Sequence, residues 1–100
     1  MYTITEERAD ELMLMELTVR REMETILASR SDDEMSWERV RLMDELIDTQ
    51  MDEGVVATYL KMRDLSARYR ERGDRKGLSL ALTIKTHEVV ADALCRGIER

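Results

Sequence analysis

The 100-residue sequence contains no proline, no phenylalanine, one cysteine, one histidine and four glycines. With so few helix-breaking residues and 43% apolar residues, the composition is neither linker-rich nor typical of a disordered chain. The lone cysteine, Cys95, excludes an intrachain disulfide, which agrees with a reducing compartment. A chain of this length buries roughly two-thirds of its unfolded surface, so we expect one domain spanning residues 1–100.

Long uncharged segments are also missing. The longest, 77–84, is far shorter than the roughly 20 apolar residues of a membrane-spanning helix, and we expect no membrane association. Near the N-terminus the sequence has acidic residues where a secretory signal has basic ones. A cytoplasmic location is therefore expected.

What the chain does contain is apolar residues at helical spacing in four segments, which begin and end near 3–29, 31–52, 55–72 and 78–96. The first two begin with the capping-box patterns Thr3–Glu6 and Ser31–Glu34, although the second could also begin at Ser36. A break near Gly54 is expected because the apolar stripe turns by roughly 120° there, and Gly73 fits a left-handed helix end. This predicts an all-α fold, a small three- to four-helix bundle that is mostly antiparallel.

One segment permits two interpretations. In 78–84, apolar and small polar residues alternate as in a strand, but a lone strand leaves its backbone groups unsatisfied. A continuous helical stripe also runs through this region and well past it, comprising Leu80, Ile84, His87, Ala91, Leu94, Cys95 and Ile98. We therefore predict a helix.

On the first helix the apolar residues predict one buried face, with further apolar surface beside it. The predicted buried stripe comprises Ala9, Leu12, Met13, Val19, Met23, Ile26 and Leu27. Leu14 and Leu17 fall outside that stripe, as Leu42 falls outside the stripe of the second helix. We expect these three leucines to be exposed and to contact a binding partner.

Catalytic patterns are incomplete. The segment from His87 to Ala91 begins like a zinc-peptidase motif, but Ala91 stands where the second histidine ligand is needed. His87 and Cys95 share a helical face and could ligate a metal only if acidic residues completed the set. The glycines are too scattered to cradle a phosphate. We expect a protein that is not an enzyme and that has no cofactor and no metal.

Charge is distributed unevenly along the chain. Residues 1–54 carry 16 acidic and 6 basic side chains, net −10, whereas residues 55–100 carry 6 and 10, net +4. The acidic residues opposite the apolar stripe of the second helix are Glu34, Glu38, Glu45, Asp48 and Asp52, interrupted by Arg41. They form either a solvated face or a surface that docks on a basic protein partner.

A basic cluster follows in the third helix and the turn after it, comprising Arg68, Arg70, Arg72, Arg75 and Lys76. Arginine suits both carboxylate and phosphate, so these cations pair with the acidic half of the chain or bind an external anion. Because the chain as a whole is acidic, direct nucleic-acid binding is not the favoured hypothesis.

In length, acidity and lack of catalytic motifs, the chain resembles the small anti-CRISPR proteins encoded by bacteriophages. Many of them inhibit CRISPR effector complexes by covering basic nucleic-acid-binding surfaces. The resemblance implies a non-enzymatic, phage-type inhibitor, a monomer or homodimer, that binds a host nucleic-acid-handling complex through the acidic face and Leu14, Leu17 and Leu42.

A second resemblance lies in the helix–turn–helix sequence that runs from Ala67 through Gly73-Asp74 to Gly97. This stretch is similar to hairpins of phage terminase small subunits, in which a basic helix-turn-helix precedes it. Here the acidic first half stands in that place. The alternative function implied is a self-associating DNA-packaging or regulatory adaptor that binds through residues 68–76.

Overall fold

The structure, a computed structural model, describes residues 3–98 and consists of four helices: α1 (Glu6–Ser31), α2 (Glu34–Glu53), α3 (Val55–Arg72) and α4 (Arg75–Gly97). Each helix packs antiparallel to the next, and α4 returns alongside α1. Among residues 3–98 the only β-type pairing is an isolated bridge between Ile4 and Ile98. The predicted all-α bundle is confirmed, and residues 78–84 are helical as predicted.

The helix starts lie near the predicted positions but use different cap residues. Thr5, the second threonine of the first capping pattern, caps α1 by accepting a hydrogen bond from the backbone N–H of Arg8. Aspartates cap the N-terminal ends of two later helices: Asp33 caps α2, and Asp74 caps α4. Because Asp74 supplies that cap, α4 begins three residues before the predicted Leu78.

Two glycines separate the helices in the second half of the chain. Gly54 has a φ of 92° and divides α2 from α3, and Gly73 has a φ of 69° and ends α3. Residues with a Cβ rarely adopt positive φ, so both positions favour glycine. The predicted break and the predicted left-handed helix end are confirmed.

The core lies along the bundle axis and is rich in methionine. Met13, Met43 and Met62 are completely buried and come from three different helices. The complete cluster of buried apolar residues comprises Ile4, Ala9, Met13, Leu17, Leu42, Met43, Leu46, Val55, Met62, Leu80, Ile84 and Ala91. Flexible thioethers thus fill part of the centre of the bundle.

The face that α1 buries differs from the predicted one. Its buried residues recur at intervals of four and seven, and they are Ala9, Met13, Leu17, Glu24 and Ala28. Four members of the predicted stripe, Val19, Met23, Ile26 and Leu27, expose half or more of their surface instead. The prediction of this stripe as core was therefore wrong for all but its first turns.

A buried carboxylate explains the difference. Glu24 is only 3% exposed, and its two oxygens accept hydrogen bonds from Nε of Arg20 and Nε of Arg39, both at 2.9 Å. A charged group at this depth is tolerated because both oxygens have cationic partners. A search for apolar residues at helical spacing misses this buried face because one of its members, Glu24, is charged.

Candidate protein-binding surface

The acidic residues predicted to share the outer face of α2 divide into two groups. In the first group, Glu34 and Glu38 both contact Lys76 of α4, and a Glu45 oxygen lies 3.2 Å from Nζ of Lys61. The Glu38 side chain is also largely buried, at 19% exposure. Arg41 lies 3.9 Å from Glu38 as well, so three cations offset these three carboxylates, which contribute little net charge to an external partner.

The second group lies at the C-terminal end of α2. Asp48, Asp52 and Glu53 are exposed and have no ion pair within residues 3–98. Asp52 and Glu53 lie in the last turn of α2, which is the negative end of the helix dipole. That turn has no basic residue to offset their charge. Asp48 is also one turn away from Asp52, which has the same charge. Both placements are locally unfavourable.

The first turn of α1 adds further negative charge at this end of the bundle. Nε2 of Gln50 donates to the backbone oxygen of Asp10 at 3.1 Å, and the N–H of Val55 donates to Oδ1 of Asp10 at 2.8 Å. These bonds hold the start of α1 against the junction of α2 and α3. We call the exposed carboxylates here the acidic end, and they are Glu6, Glu7, Asp48, Asp52 and Glu53. None has an ion pair in the described part of the chain.

Two of the three leucines expected to be exposed beside the acidic face are buried. Leu17 is completely buried, Leu42 is 3% exposed, and both belong to the core cluster. Leu14 is half-buried. The prediction was wrong for Leu17 and Leu42 because the buried faces of α1 and α2 are rotated from the apolar stripes used to assign them.

Most cations of the predicted basic cluster have partners within the chain. Arg68 pairs with Asp64, Nε of Arg70 donates to the backbone oxygen of Ser66, and Arg72 pairs with Asp74 at 3.0 Å. Lys76 pairs with Glu34 and Glu38, as described above. Arg75 alone of the five has no hydrogen bond or ion pair within residues 3–98.

The ionisation of two groups in this turn reflects the pairing. The backbone N–H of Gly77 and the guanidinium of Arg72 lower the pKa of the Asp74 carboxyl, which fits its role as a helix cap. The hydrogen bond to Glu38 raises the pKa of Lys76. Both groups are held in their charged forms by neighbours within the fold.

An open cleft of about 580 Å³ lies between the N-terminal ends of α2 and α4. Its charged lining residues have both signs: Asp33, Glu34, Arg39, Arg75 and Lys76. Carboxylates in the lining repel phosphate, so the mixture does not favour a nucleic-acid backbone at this place.

His87 lies inside the bundle, where α4 packs against α1. It is 4% exposed, and its Nδ1 lies 3.0 Å from Oε1 of Glu16. The neutral tautomer that donates from Nδ1 leaves Nε2 buried without a hydrogen-bond partner among residues 3–98. Burial lowers the pKa of His87, although the hydrogen bond to Glu16 opposes that shift. The imidazole is therefore neutral at pH 7 and packs as part of the core.

This burial predicts that the protein loses stability in mild acid. In the unfolded chain His87 binds a proton below about pH 6.5, whereas in the folded chain its lowered pKa delays protonation to a lower pH. Protonation therefore favours the unfolded chain, and the free energy of unfolding decreases as the pH falls below about 6.5. We expect the Tm to fall between about pH 7.5 and pH 5.5, and to fall less in His87→Gln, because His87 is the only histidine. An equal fall in both proteins would show that His87 is not the cause.

The described residues offer no other chemical centre. Cys95 is half-buried, with its Sγ 3.9 Å from the backbone oxygen of Val55. Residues 3–98 contain no group of three His, Cys, Asp or Glu side chains placed to hold a metal ion. No helix within that range is long and apolar enough to cross a membrane. No protein-family model, curated protein or solved structure matches the chain.

Proposed function

We propose that this chain is a non-enzymatic binding protein that docks its acidic end on a basic surface of another protein. The observation that supports the proposal is the acidic end itself, which collects five exposed carboxylates without ion pairs in residues 3–98. Two of them, Asp52 and Glu53, lie in the last turn of α2, where negative charge is unfavourable, and Asp48 is one turn before Asp52. Cations of a partner protein would neutralise these unfavourably placed carboxylates on binding.

The chemistry of the acidic end defines the partner. Exposed carboxylates steer association with a cationic surface and make it sensitive to salt. Met51, which is 68% exposed, lies between Asp48 and Asp52 in the sequence of α2 and adds exposed apolar surface at this end of the helix. Such a surface fits a basic groove that otherwise holds nucleic acid. We propose a phage-type inhibitor of a host nucleic-acid-handling complex, of the anti-CRISPR type, acting in the cytoplasm.

The alternative, a DNA-packaging or regulatory adaptor that binds through residues 68–76, receives less support. Four of the five cations in that stretch already bond to acceptors in the same chain. Binding DNA there would require breaking those contacts before phosphate contacts form.

A pull-down from bacterial lysate at low salt, analysed by intact mass spectrometry, tests the proposal. We expect the wild-type protein to capture a protein or complex with a basic surface, and to lose it at high salt. The variant Asp48→Lys/Asp52→Lys/Glu53→Lys should capture at least tenfold less of it, because its charges now repel the partner.

The control variant Glu22→Lys changes an exposed carboxylate of α1 that also lacks an ion pair in residues 3–98 and lies outside the acidic end. It should capture as much partner as the wild type. Equal capture by the triple variant would disprove a role for the acidic end. Capture of DNA alone, with retention by the triple variant, would favour the adaptor.

A further inference from the structure

The outer side of α1 carries apolar surface that the described fold leaves uncovered. Met15, Val19, Met23, Ile26 and Leu27 are each between 50% and 59% exposed. They extend over 13 residues, roughly 20 Å of helix. We call these five residues the α1 apolar stripe. It includes four residues whose spacing predicts burial, yet the bundle buries the other side of the helix.

A polar groove separates the stripe from α4, which lies antiparallel beside α1. Glu16 of α1 contacts His87 of α4, and the groove is lined by Arg20, Glu24, Arg39, Ser79, Leu82, Thr83 and Thr86, of which only Leu82 is apolar. On the outer side of α4, Leu82 is 68% exposed and Val89 is 61% exposed. Leu82 and Val89 therefore add exposed apolar surface on the far side of the groove, and the continuous apolar surface is the α1 apolar stripe.

We propose that the α1 apolar stripe, with Leu82 and Val89 beside it, binds a second copy of the chain to form a symmetric dimer. At about half exposure or more, these seven apolar side chains present on the order of 300–400 Å² of apolar surface. A dimer of ordinary size buries about 800 Å² per partner, of which roughly 65% is apolar. The seven side chains supply more than half of that apolar area, and a two-fold axis brings the stripes of two copies together.

The charges around the stripe also favour a second copy. Arg8 and Arg30 balance Glu11 and Glu22 on the exposed side of α1, so two such rims do not repel each other. The acidic end carries only negative charge and would repel another copy. Because the stripe begins two turns beyond Glu7, a dimer formed through it leaves the acidic ends free for another partner.

Sedimentation velocity of the full chain over a range of concentrations tests the proposal. We expect twice the 11.7 kDa of one chain at about 50 µM, with dissociation on dilution. The variant Val19→Glu/Ile26→Glu places charge in the stripe without touching the core, and its dissociation constant should rise about 100-fold. Helix content by circular dichroism should be unchanged.

The matched control is Val56→Glu/Leu60→Glu, which alters two exposed apolar residues one turn apart on α3. It should dimerise like the wild type. If Val19→Glu/Ile26→Glu proves unfolded, the single change Met23→Lys takes its place. A wild-type protein that stays monomeric at about 200 µM would overturn the proposal. So would stripe variants that dimerise as tightly as the wild type.

Discussion

Replacement of Leu17 by alanine is expected to lower the free energy of unfolding by about 3 kcal/mol, because it removes a fully buried side chain and leaves a cavity. For a domain of this size, that loss lowers the Tm by roughly 10–20 °C. Urea unfolding followed by circular dichroism measures the change directly. The effect tests the assignment of Leu17 to the core rather than to a binding surface.

The matched control is Leu27→Ala, on the same helix but with 50% of the residue exposed. In dilute protein, where the proposed dimer is dissociated, this change should cost less than about 1 kcal/mol. If Leu27→Ala were the more damaging of the two, the face that α1 turns toward the core would be the one predicted from the apolar spacing.

Glu24→Ala should destabilise the fold by about 2–4 kcal/mol, although it removes a charged residue. The carboxylate is buried, and its loss leaves Arg20 and Arg39 without their common partner in a partly desolvated place. Thermal unfolding at neutral pH measures the effect. The control Glu22→Ala removes a carboxylate that is exposed and unpaired in residues 3–98, and it should shift the Tm by no more than about 2 °C. Equal effects at the two positions would contradict a structural role for the Glu24 ion pairs.

The elements of the fold were predictable because their signals are local. Gly54 and Gly73 end helices where positive φ is needed, and the rotation of the apolar pattern at Gly54 indicates the break. The stripe of α4 through Leu80, Ile84 and His87 was also correctly predicted, since it is the continuous apolar side of that helix.

The orientation of α1 was not predictable from apolar spacing. This helix has apolar residues on two sides, and the apolar side that extends from Met15 to Leu27 is the exposed one. The choice between the sides depends on Arg39, 15 residues beyond Glu24, which completes the ion pairs that allow a carboxylate to be buried. Periodicity analysis counts Glu24 as an exposed residue and therefore selects the other side.

The acidic character of the candidate site was predictable from the sequence, but which carboxylates belong to it was not. The acidic residues of α2 are visible in the sequence, but their neutralisation depends on Lys61 and Lys76, which reach them from α3 and α4. Likewise, Glu6 and Glu7 join the acidic end only because Asp10 packs at the junction of α2 and α3. Both relations are tertiary contacts with no counterpart in local spacing.

The central claim is that partner binding depends on the carboxylates that the fold leaves unpaired, and a titration with the captured partner tests it most directly. Two variants each remove two charges from α2: Asp48→Asn/Asp52→Asn at the acidic end, and Glu34→Gln/Glu38→Gln beside Lys76. At low salt, we predict that Asp48→Asn/Asp52→Asn raises the Kd for the partner about tenfold, and that Glu34→Gln/Glu38→Gln raises it less than about threefold. The reverse order, or no effect of either variant, would contradict the account.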